Sequence, residues 1–124
     1  MDRSVFLLVL TSVLMSAFAQ IALKTGMSTP AVTASVAQGL NWIMVRSVVA
    51  SPYVLVGLVL YFASAAVWLL VLARIDVSLA YPFVGLGFVV TVLLAWGLRG
   101  EEPSVGRIVG ALIICLGVVV LARS

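Results

Sequence analysis

The sequence predicts an all-α membrane protein with four transmembrane helices, and composition and segment length are the main observations behind this prediction. Of the 124 residues, 65% are hydrophobic and 9% are charged, whereas a water-soluble domain is about half apolar and a quarter charged. The mean hydropathy of +1.34 leaves too few polar side chains to cover a soluble particle. Four apolar stretches each reach the roughly 20 residues that a helix needs to cross a bilayer. We therefore expect a single compact bundle over residues 1–124.

The four predicted spans cover about residues 5–23, 53–73, 77–98 and 105–122. Only Arg74–Asp76 separates the second span from the third, which predicts a tight antiparallel hairpin. Between the third and fourth spans, Gly100 is a typical helix stop and Pro103 precedes the start of the next helix.

The first span resembles a cleavable signal peptide, because Arg3 and an apolar run precede an A-x-A-like pattern at Ala17 and Ala19. Such a pattern is short and common. We expect this helix to be retained, since the bundle needs it.

The connection between the first and second spans predicts an amphipathic helix over about residues 30–47, with Thr29 as N-cap and Pro30 at the first helical position. On a helical wheel, one face is apolar and consists of Val32, Val36, Leu40 and Ile43. Such a helix is suited to the membrane interface. Gly39 and Ser47 interrupt the pattern. The alternative is a helix that packs on the edge of the bundle and has no role in transport.

Seven Lys and Arg residues against four Asp and Glu residues give a net charge of +3, and the basic residues stand singly near segment ends. This arrangement is typical of membrane helices and argues against nucleic-acid binding. Three basic residues (Arg3, Arg74, Arg123) fall on one predicted side and four (Lys24, Arg46, Arg99, Arg107) on the other. The bias is too small for the positive-inside rule to set the orientation.

Metal-binding and enzymatic signatures are missing from the sequence. The chain has no His and a single Cys, Cys115, so we expect neither a disulfide framework nor a metal site. We find no nucleophile–base–acid set and no phosphate-binding glycine loop. We therefore expect no enzymatic activity and no cofactor.

The first span carries a slanted polar stripe, because Ser12, Ser16, Gln20 and Lys24 follow one another at steps of four. Polar groups in lipid are expected to face a partner helix or a wet cavity. For Ser12 and Ser16, hydrogen-bonding contact between helices is the favoured interpretation. Lys24 either extends to the interface or meets an anionic headgroup.

None of the four acidic residues lies deep in a predicted span. Asp2 is terminal, Asp76 is in a tight turn, and Glu101 and Glu102 are in a loop. A pump that exchanges protons for cationic drugs needs a titratable carboxylate within the membrane. This class of transporter is therefore disfavoured.

The third span begins with a proline and two glycines that predict a bend. Pro82 lacks a backbone donor, and Gly85 and Gly87 allow another backbone to approach or the helix to flex. Tyr81 supplies a hydroxyl beside the bend. The segment is either a pliable wall along a substrate path or ordinary helix packing.

The fourth span carries a small-residue face, with Gly106 and Gly110 as a G-x-x-x-G pair and Gly117 two turns further on. Such a face predicts close contact with another helix, either within the chain or between chains.

Three stretches resemble the four-helix members of the drug/metabolite transporter superfamily, which include EamA-like proteins. They are "AQIALKTG" at 19–26, "LARIDVSLAYPFVGLGFVVTVLLAWGLRGEEPS" at 72–104 and "GRIVGALIICLGVVVL" at 106–121. The chain is similar in length to small multidrug resistance exporters, and Gly110 and Gly117 fit their dimer-contact pattern. The working acid of those exporters would fall near Ser16, where this chain has a hydroxyl. The "SLAYP" start of the third span instead resembles subunits of the aminoarabinose–phosphoundecaprenol flippase.

This resemblance implies a flippase that moves a polyprenyl-phosphate-linked sugar across the bacterial inner membrane as a homodimer or a heterodimer with a related chain. We expect Ser16, Gln20 and Tyr81 to meet the sugar, and Lys24 and Arg46 the lipid phosphate. The alternatives are an exporter of small amphipathic solutes and an accessory subunit of a larger transport complex.

Overall fold

The computed structural model describes residues 2–124, which form seven α-helices and one short 3₁₀ helix. In chain order they are α1 (Arg3–Met27), α2 (Pro30–Ala37), α3 (Trp42–Ala50), α4 (Pro52–Leu72), α5 (Val77–Ala80), the 3₁₀ helix (Tyr81–Phe83), α6 (Val84–Arg99) and α7 (Val105–Arg123). Helices α1, α4 and α7 and the combined α5–α6 unit are each long and apolar enough to cross a bilayer. The predicted all-α fold with four membrane-spanning helices is confirmed.

Polar residues at the helix ends satisfy backbone groups that the helices leave unpaired. Asp2 caps α1 by accepting a hydrogen bond from the Val5 N–H at 2.9 Å. This bond, together with one from the Ser4 hydroxyl, lowers the pKa of the Asp2 carboxyl below its usual value. At the other end of the chain, Ser104 caps α7, and Gly100 ends α6 in the left-handed conformation, as predicted.

The third span is not one continuous α-helix, because Pro82 has no backbone N–H to donate. The α-helical pattern of α5 stops at Ala80, the Tyr81–Phe83 turn is 3₁₀, and α6 begins at Val84. The structure thus shows a change of helix type at Pro82, and the predicted bend of the helix axis stays a prediction.

Gly85 lets α6 approach α7 closely, since a Cβ atom built on it would lie 2.8 Å from Cγ2 of Ile114. Gly87 faces α1, where a Cβ atom would meet Cγ1 of Val13 at an ordinary 3.5 Å. Both glycines therefore lie where α6 packs against another helix. The hinge role predicted for Pro82, Gly85 and Gly87 stays a prediction.

The connection between the first two spans differs from the single amphipathic helix expected over residues 30–47. It forms two helices, α2 and α3, because Gly39 adopts a φ of 95° that no helix accommodates. The Asn41 side chain then caps α3 by accepting from the Met44 N–H at 3.0 Å. Of the predicted apolar face, Val32 is buried, whereas Leu40 is 87% exposed.

Two side-chain contacts define the up-and-down arrangement of the spans. The Arg74 guanidinium reaches Ser4 Oγ at 3.4 Å, which brings the end of α4 to the start of α1. The Arg99 guanidinium donates to Thr25 Oγ1 at 2.8 Å, which brings the end of α6 to the end of α1. Successive spans are therefore antiparallel, and both ends of the described chain lie on one side of the bundle.

Helices α1 and α4 form the most extensive helix pair of the bundle, and glycine lets them approach closely. A Cβ atom at Gly26 would lie 2.8 Å from the backbone nitrogen of Val54. A Cβ atom at Gly57 would lie 2.8 Å from the Leu23 side chain and 3.0 Å from its backbone nitrogen. We call this close α1–α4 contact the glycine seam.

A buried hydrogen bond continues the α1–α4 interface towards the start of α1. The Ser12 hydroxyl donates to the backbone carbonyl of Ser64 at 2.8 Å, and both serines are at most 5% exposed. Ser16 lies one turn further along α1. Within residues 2–124, its hydroxyl makes no hydrogen bond.

Helix α7 lies at the edge of the bundle and packs mainly on α6. Cβ atoms at Gly110 and Gly117 would meet nothing within 4 Å, and one at Gly106 would meet only the nearby Ser104 hydroxyl, at 3.9 Å. The predicted small-residue face is thus open within this chain. Its contact with a second chain stays a prediction.

We predict that Gly57→Ala lowers the free energy of unfolding by about 1–3 kcal/mol, because the new methyl group collides with Leu23 side-chain and backbone atoms. Gly97→Ala is the matched control. Its Cβ meets nothing within 4 Å, and alanine favours the helix by about 0.8–1.0 kcal/mol. Denaturant unfolding of both variants in detergent micelles measures the difference. Equal stabilities would contradict the importance of the seam.

We also predict different stabilities for two serine variants of α1. Ser12→Ala removes the bond to the Ser64 carbonyl and is expected to cost about 0.5–1.5 kcal/mol. Ser16→Ala removes a hydroxyl that holds no partner in the described chain, so its unfolding free energy should match that of the parent protein. The same unfolding assay distinguishes them, and equal losses would show that the Ser12 bond contributes nothing specific.

Candidate functional site

A cavity of about 270 Å³ lies between α1, α4 and the 3₁₀ segment that precedes α6. Three serines and two tyrosines contribute hydroxyl groups to its wall, and Trp68 adds a third aromatic ring. The hydroxyl-bearing residues are Ser12, Ser16, Tyr61, Ser64 and Tyr81. We call this the hydroxyl cavity.

The glycine seam positions two walls of the hydroxyl cavity, because it holds α1 against α4. On α4, Tyr61, Ser64 and Trp68 follow at steps of three and four, so they lie on the same helical face. The third wall starts at Tyr81, directly before Pro82 interrupts the helix. Gly87, one to two turns further on, leaves room beside α1.

The hydroxyl groups of the cavity differ in whether they are already engaged. Ser12 donates to the Ser64 carbonyl, and Ser64 donates to the Tyr61 carbonyl at 2.7 Å. The hydroxyls of Ser16, Tyr61 and Tyr81 make no hydrogen bond to any other residue of the described chain. Each of these three can both donate and accept. The cavity thus offers three free hydroxyls and an otherwise apolar wall.

No charged residue lines the hydroxyl cavity in the part of the chain that the structure describes. The acids lie at the ends of helices or in loops, with Asp2 and Asp76 as N-caps of α1 and α5. Glu101 pairs with Arg99 at 3.2 Å in the α6–α7 loop. A neutral substrate group can therefore enter without meeting an unpaired charge.

Of the predicted substrate-binding residues, the structure brings Ser16 and Tyr81 together at the hydroxyl cavity. Gln20 and Lys24 are exposed and do not line it. A step of four residues turns a side chain by about 40° around the helix axis, so the stripe that starts at Ser12 has left the cavity by Gln20. Arg46 lies on α3 and lines a different groove, beside the start of α4.

Sequence reasoning missed Tyr61, Ser64 and Trp68, which supply the α4 wall of the cavity. Their spacing of three and four residues was a usable signal. It also missed Gly26 and Gly57, where α1 and α4 come closest. Arg99 is likewise unpredicted as a contact residue, although it joins α6 to Thr25 and to Glu101.

Comparison with curated proteins finds relatives named probable 4-amino-4-deoxy-L-arabinose-phosphoundecaprenol flippase subunit ArnE. The relative from Pseudomonas fluorescens (strain Pf0-1) is 36% identical over 74 residues, which are 60% of this chain and 65% of the relative. The one from Pseudomonas aeruginosa (strain UCBPP-PA14) is 42% identical over 57 residues, or 46% of this chain and 50% of the relative. The one from Klebsiella pneumoniae (strain 342) is 40% identical over 57 residues, or 46% and 51%.

The chain spans between half and about two thirds of the length of these curated relatives. No family model matches the chain. No solved structure matches it either. The resemblance to aminoarabinose–phosphoundecaprenol flippase subunits is confirmed over about half of this chain, which has four helices able to span a membrane.

Proposed function

We propose that this chain is a subunit of a flippase that moves a polyprenyl-phosphate-linked sugar across the bacterial inner membrane. Its relatives are named flippase subunits of bacteria, and four of its helices can span a bilayer. The observation that carries the proposal is the hydroxyl cavity, whose free polar groups are uncharged.

The chemistry of the cavity suits a sugar. Ser16, Tyr61 and Tyr81 each offer a hydroxyl that is free to donate and accept, which matches the hydroxyls of a sugar ring. The aromatic rings of Tyr61, Tyr81 and Trp68 offer flat apolar faces against which the C–H groups of the sugar ring can pack. Of the predicted sugar-binding residues, the proposal keeps Ser16 and Tyr81 and adds Tyr61.

The size of the cavity favours a small headgroup. Its volume of about 270 Å³ lies just below the roughly 300–1,000 Å³ of sites for drug-sized ligands. One sugar ring suits this space better than an oligosaccharide. Tyr61 is 44% and Tyr81 66% exposed at the surface of the bundle. A lipid tail can thus stay in the bilayer while its headgroup occupies the cavity.

Proton-coupled drug export is a weaker explanation of the same site. Such an exporter needs a carboxylate that titrates inside the membrane. Within residues 2–124, the residues that line the hydroxyl cavity include no carboxylate. The resemblance to small multidrug resistance exporters would place their acid near Ser16, which carries a hydroxyl. We propose that the chain transports without catalysing a reaction on its substrate.

A second chain is part of the proposal, because the relatives are named subunits. The open glycine face of α7 (Gly106, Gly110, Gly117) supports a close helix contact with that chain, which is either an identical copy or a related one. We propose that the second chain covers this face.

We also propose that the change of helix type at Pro82 lets the cavity wall that carries Tyr81 move during transport.

Reconstitution into liposomes tests this function. We expect the protein to accelerate the movement of a labelled short-chain polyprenyl-phosphate sugar between leaflets, measured by its accessibility to an impermeant reagent. The double variant Ser16→Ala/Tyr81→Phe should slow the movement about tenfold, because it removes two hydrogen bonds worth about 0.5–1.5 kcal/mol each. Thr11→Val is the control, since it removes an exposed hydroxyl from the same helix outside the cavity.

Three other outcomes have distinct meanings. If the liposomes instead expel quaternary ammonium ions when a pH gradient is applied, the protein is an exporter. Movement that requires a co-purified second chain and survives the double variant would make this chain an accessory subunit. If Thr11→Val slows movement as much as the double variant does, the cavity is not the substrate site.

A further inference from the structure

A second hollow lies beside the start of α4, where α2 and α3 pack against it, and has a volume of about 700 Å³. Its wall includes Thr29, Val32, Trp42, Arg46, Ser51 and Tyr53. We call it the Arg46 groove. It lies at the end of the bundle that also holds Lys24 and Arg99, because the start of α4 meets Gly26 at the end of α1, where Arg99 reaches Thr25.

The charge of this groove is uncompensated. Arg46 is the one charged residue on its wall in the described chain, and no carboxylate lies within 4 Å of the Arg46 guanidinium. By contrast, the guanidinium of Arg99 is held by Glu101 and Thr25. A planar guanidinium without a protein partner is suited to bidentate binding of a phosphate.

The aromatic residues of the groove indicate its level relative to the membrane surface. Trp42 is 75% and Tyr53 53% exposed, although both have large apolar rings. Exposed Trp and Tyr side chains at the end of a membrane helix are typical of the level of lipid headgroups. The groove therefore offers a cation at the height of lipid phosphates and an apolar wall for the start of a lipid chain. Ser51 is 7% exposed, and its hydroxyl is buried beside Gly26, unpartnered in the described chain.

The groove and the hydroxyl cavity are neighbours along α4 but are not parts of one headgroup site. Tyr53 of the groove and Tyr61 of the cavity are eight residues apart, which corresponds to about 12 Å along the helix axis. A phosphate bonded directly to a sugar ring is shorter than this axial separation. Around the helix axis Tyr61 is turned by about 80° from Tyr53, so the two sites open on adjacent sides of α4.

We infer that the Arg46 groove is a separate loading site, where the phosphate of a single-chain isoprenoid lipid binds before its sugar enters the hydroxyl cavity. This inference rests on the proposed flippase function for the identity of the lipid. The single cation of the groove matches the single negative charge of the phosphodiester that joins such a lipid to its sugar. Both sites lie along α4, so the headgroup passes from the groove to the cavity by moving about 12 Å along this helix and about 80° around it.

Equilibrium binding of geranylgeranyl monophosphate to the purified protein, in nanodiscs of phosphatidylcholine, tests this site. We expect Arg46→Gln to weaken binding about tenfold, because it removes a charge-assisted pair. Arg107→Gln is the matched control. It removes the same charge from an exposed position outside the groove and should leave binding unchanged. Equal losses in both variants would overturn the inference, since they would indicate a general surface-charge effect.

Competitors identify the ligand. Geranylgeraniol, which lacks the phosphate, should not displace the probe, and phosphatidylglycerol should displace it only weakly. Displacement by phosphatidylglycerol at equal concentration would overturn the loading site in favour of a general phospholipid site. Ser16→Ala/Tyr81→Phe should bind the probe normally, because the probe carries no sugar.

The outcomes for the loading site and for the proposed function are separable. If the parent protein moves the labelled lipid-linked sugar but binds the probe no better than Arg46→Gln, the loading site is wrong and the flippase function stands. If binding depends on Arg46 but no sugar moves between leaflets, the flippase function is wrong and the groove remains a phosphate site. Unfolding measurements on both Arg variants establish that they are folded.

Discussion

The close packing of α1 against α4 is the contact on which the rest of the structure depends. In a bilayer, helix association gains little from the hydrophobic effect and relies on close contact and hydrogen bonds. Gly26 and Gly57 supply the close contact, and the Ser12–Ser64 bond adds a polar link. Because α1 and α4 form two walls of the hydroxyl cavity, its shape follows from this seam.

The polar groups of the bundle are divided by depth. Charged side chains stand at the helix ends, where water and lipid headgroups can solvate them, and the cavity inside carries only hydroxyls and aromatic rings in the described chain. A charge in the cavity would be costly without a partner. Hydroxyls can pair with one another or with a substrate at little cost. This division explains how a membrane protein with so few charges can still offer a polar binding surface.

Many large apolar side chains are exposed at the surface of the bundle, which suits a substrate that enters from the bilayer. Helix α7 packs on one side only, and its glycine face meets no other residue of the described chain except Ser104. The tyrosines of the cavity reach the bundle surface, and so do the aromatic residues of the Arg46 groove. A substrate that enters sideways from the bilayer suits this arrangement better than one that passes through a closed pore.

The sequence by itself determined the four spans, the Gly100 stop, the irregularity at Pro82 and the absence of a deep acid, because each of these depends on composition or on a few neighbouring residues. It also predicted Ser16 and Tyr81 as site residues, and the structure places both at the wall of the hydroxyl cavity. Only the tertiary structure decided which side of each helix faces another. The α1 stripe rotates out of the cavity between Ser16 and Gln20, and α4 supplies Tyr61, Ser64 and Trp68. Gly39 divides the connection into two helices through its backbone conformation, which hydrophobic periodicity does not report. Whether a segment forms a helix depends on neighbouring residues. Which face of that helix is buried, and against which other helix, depends on residues far apart in sequence.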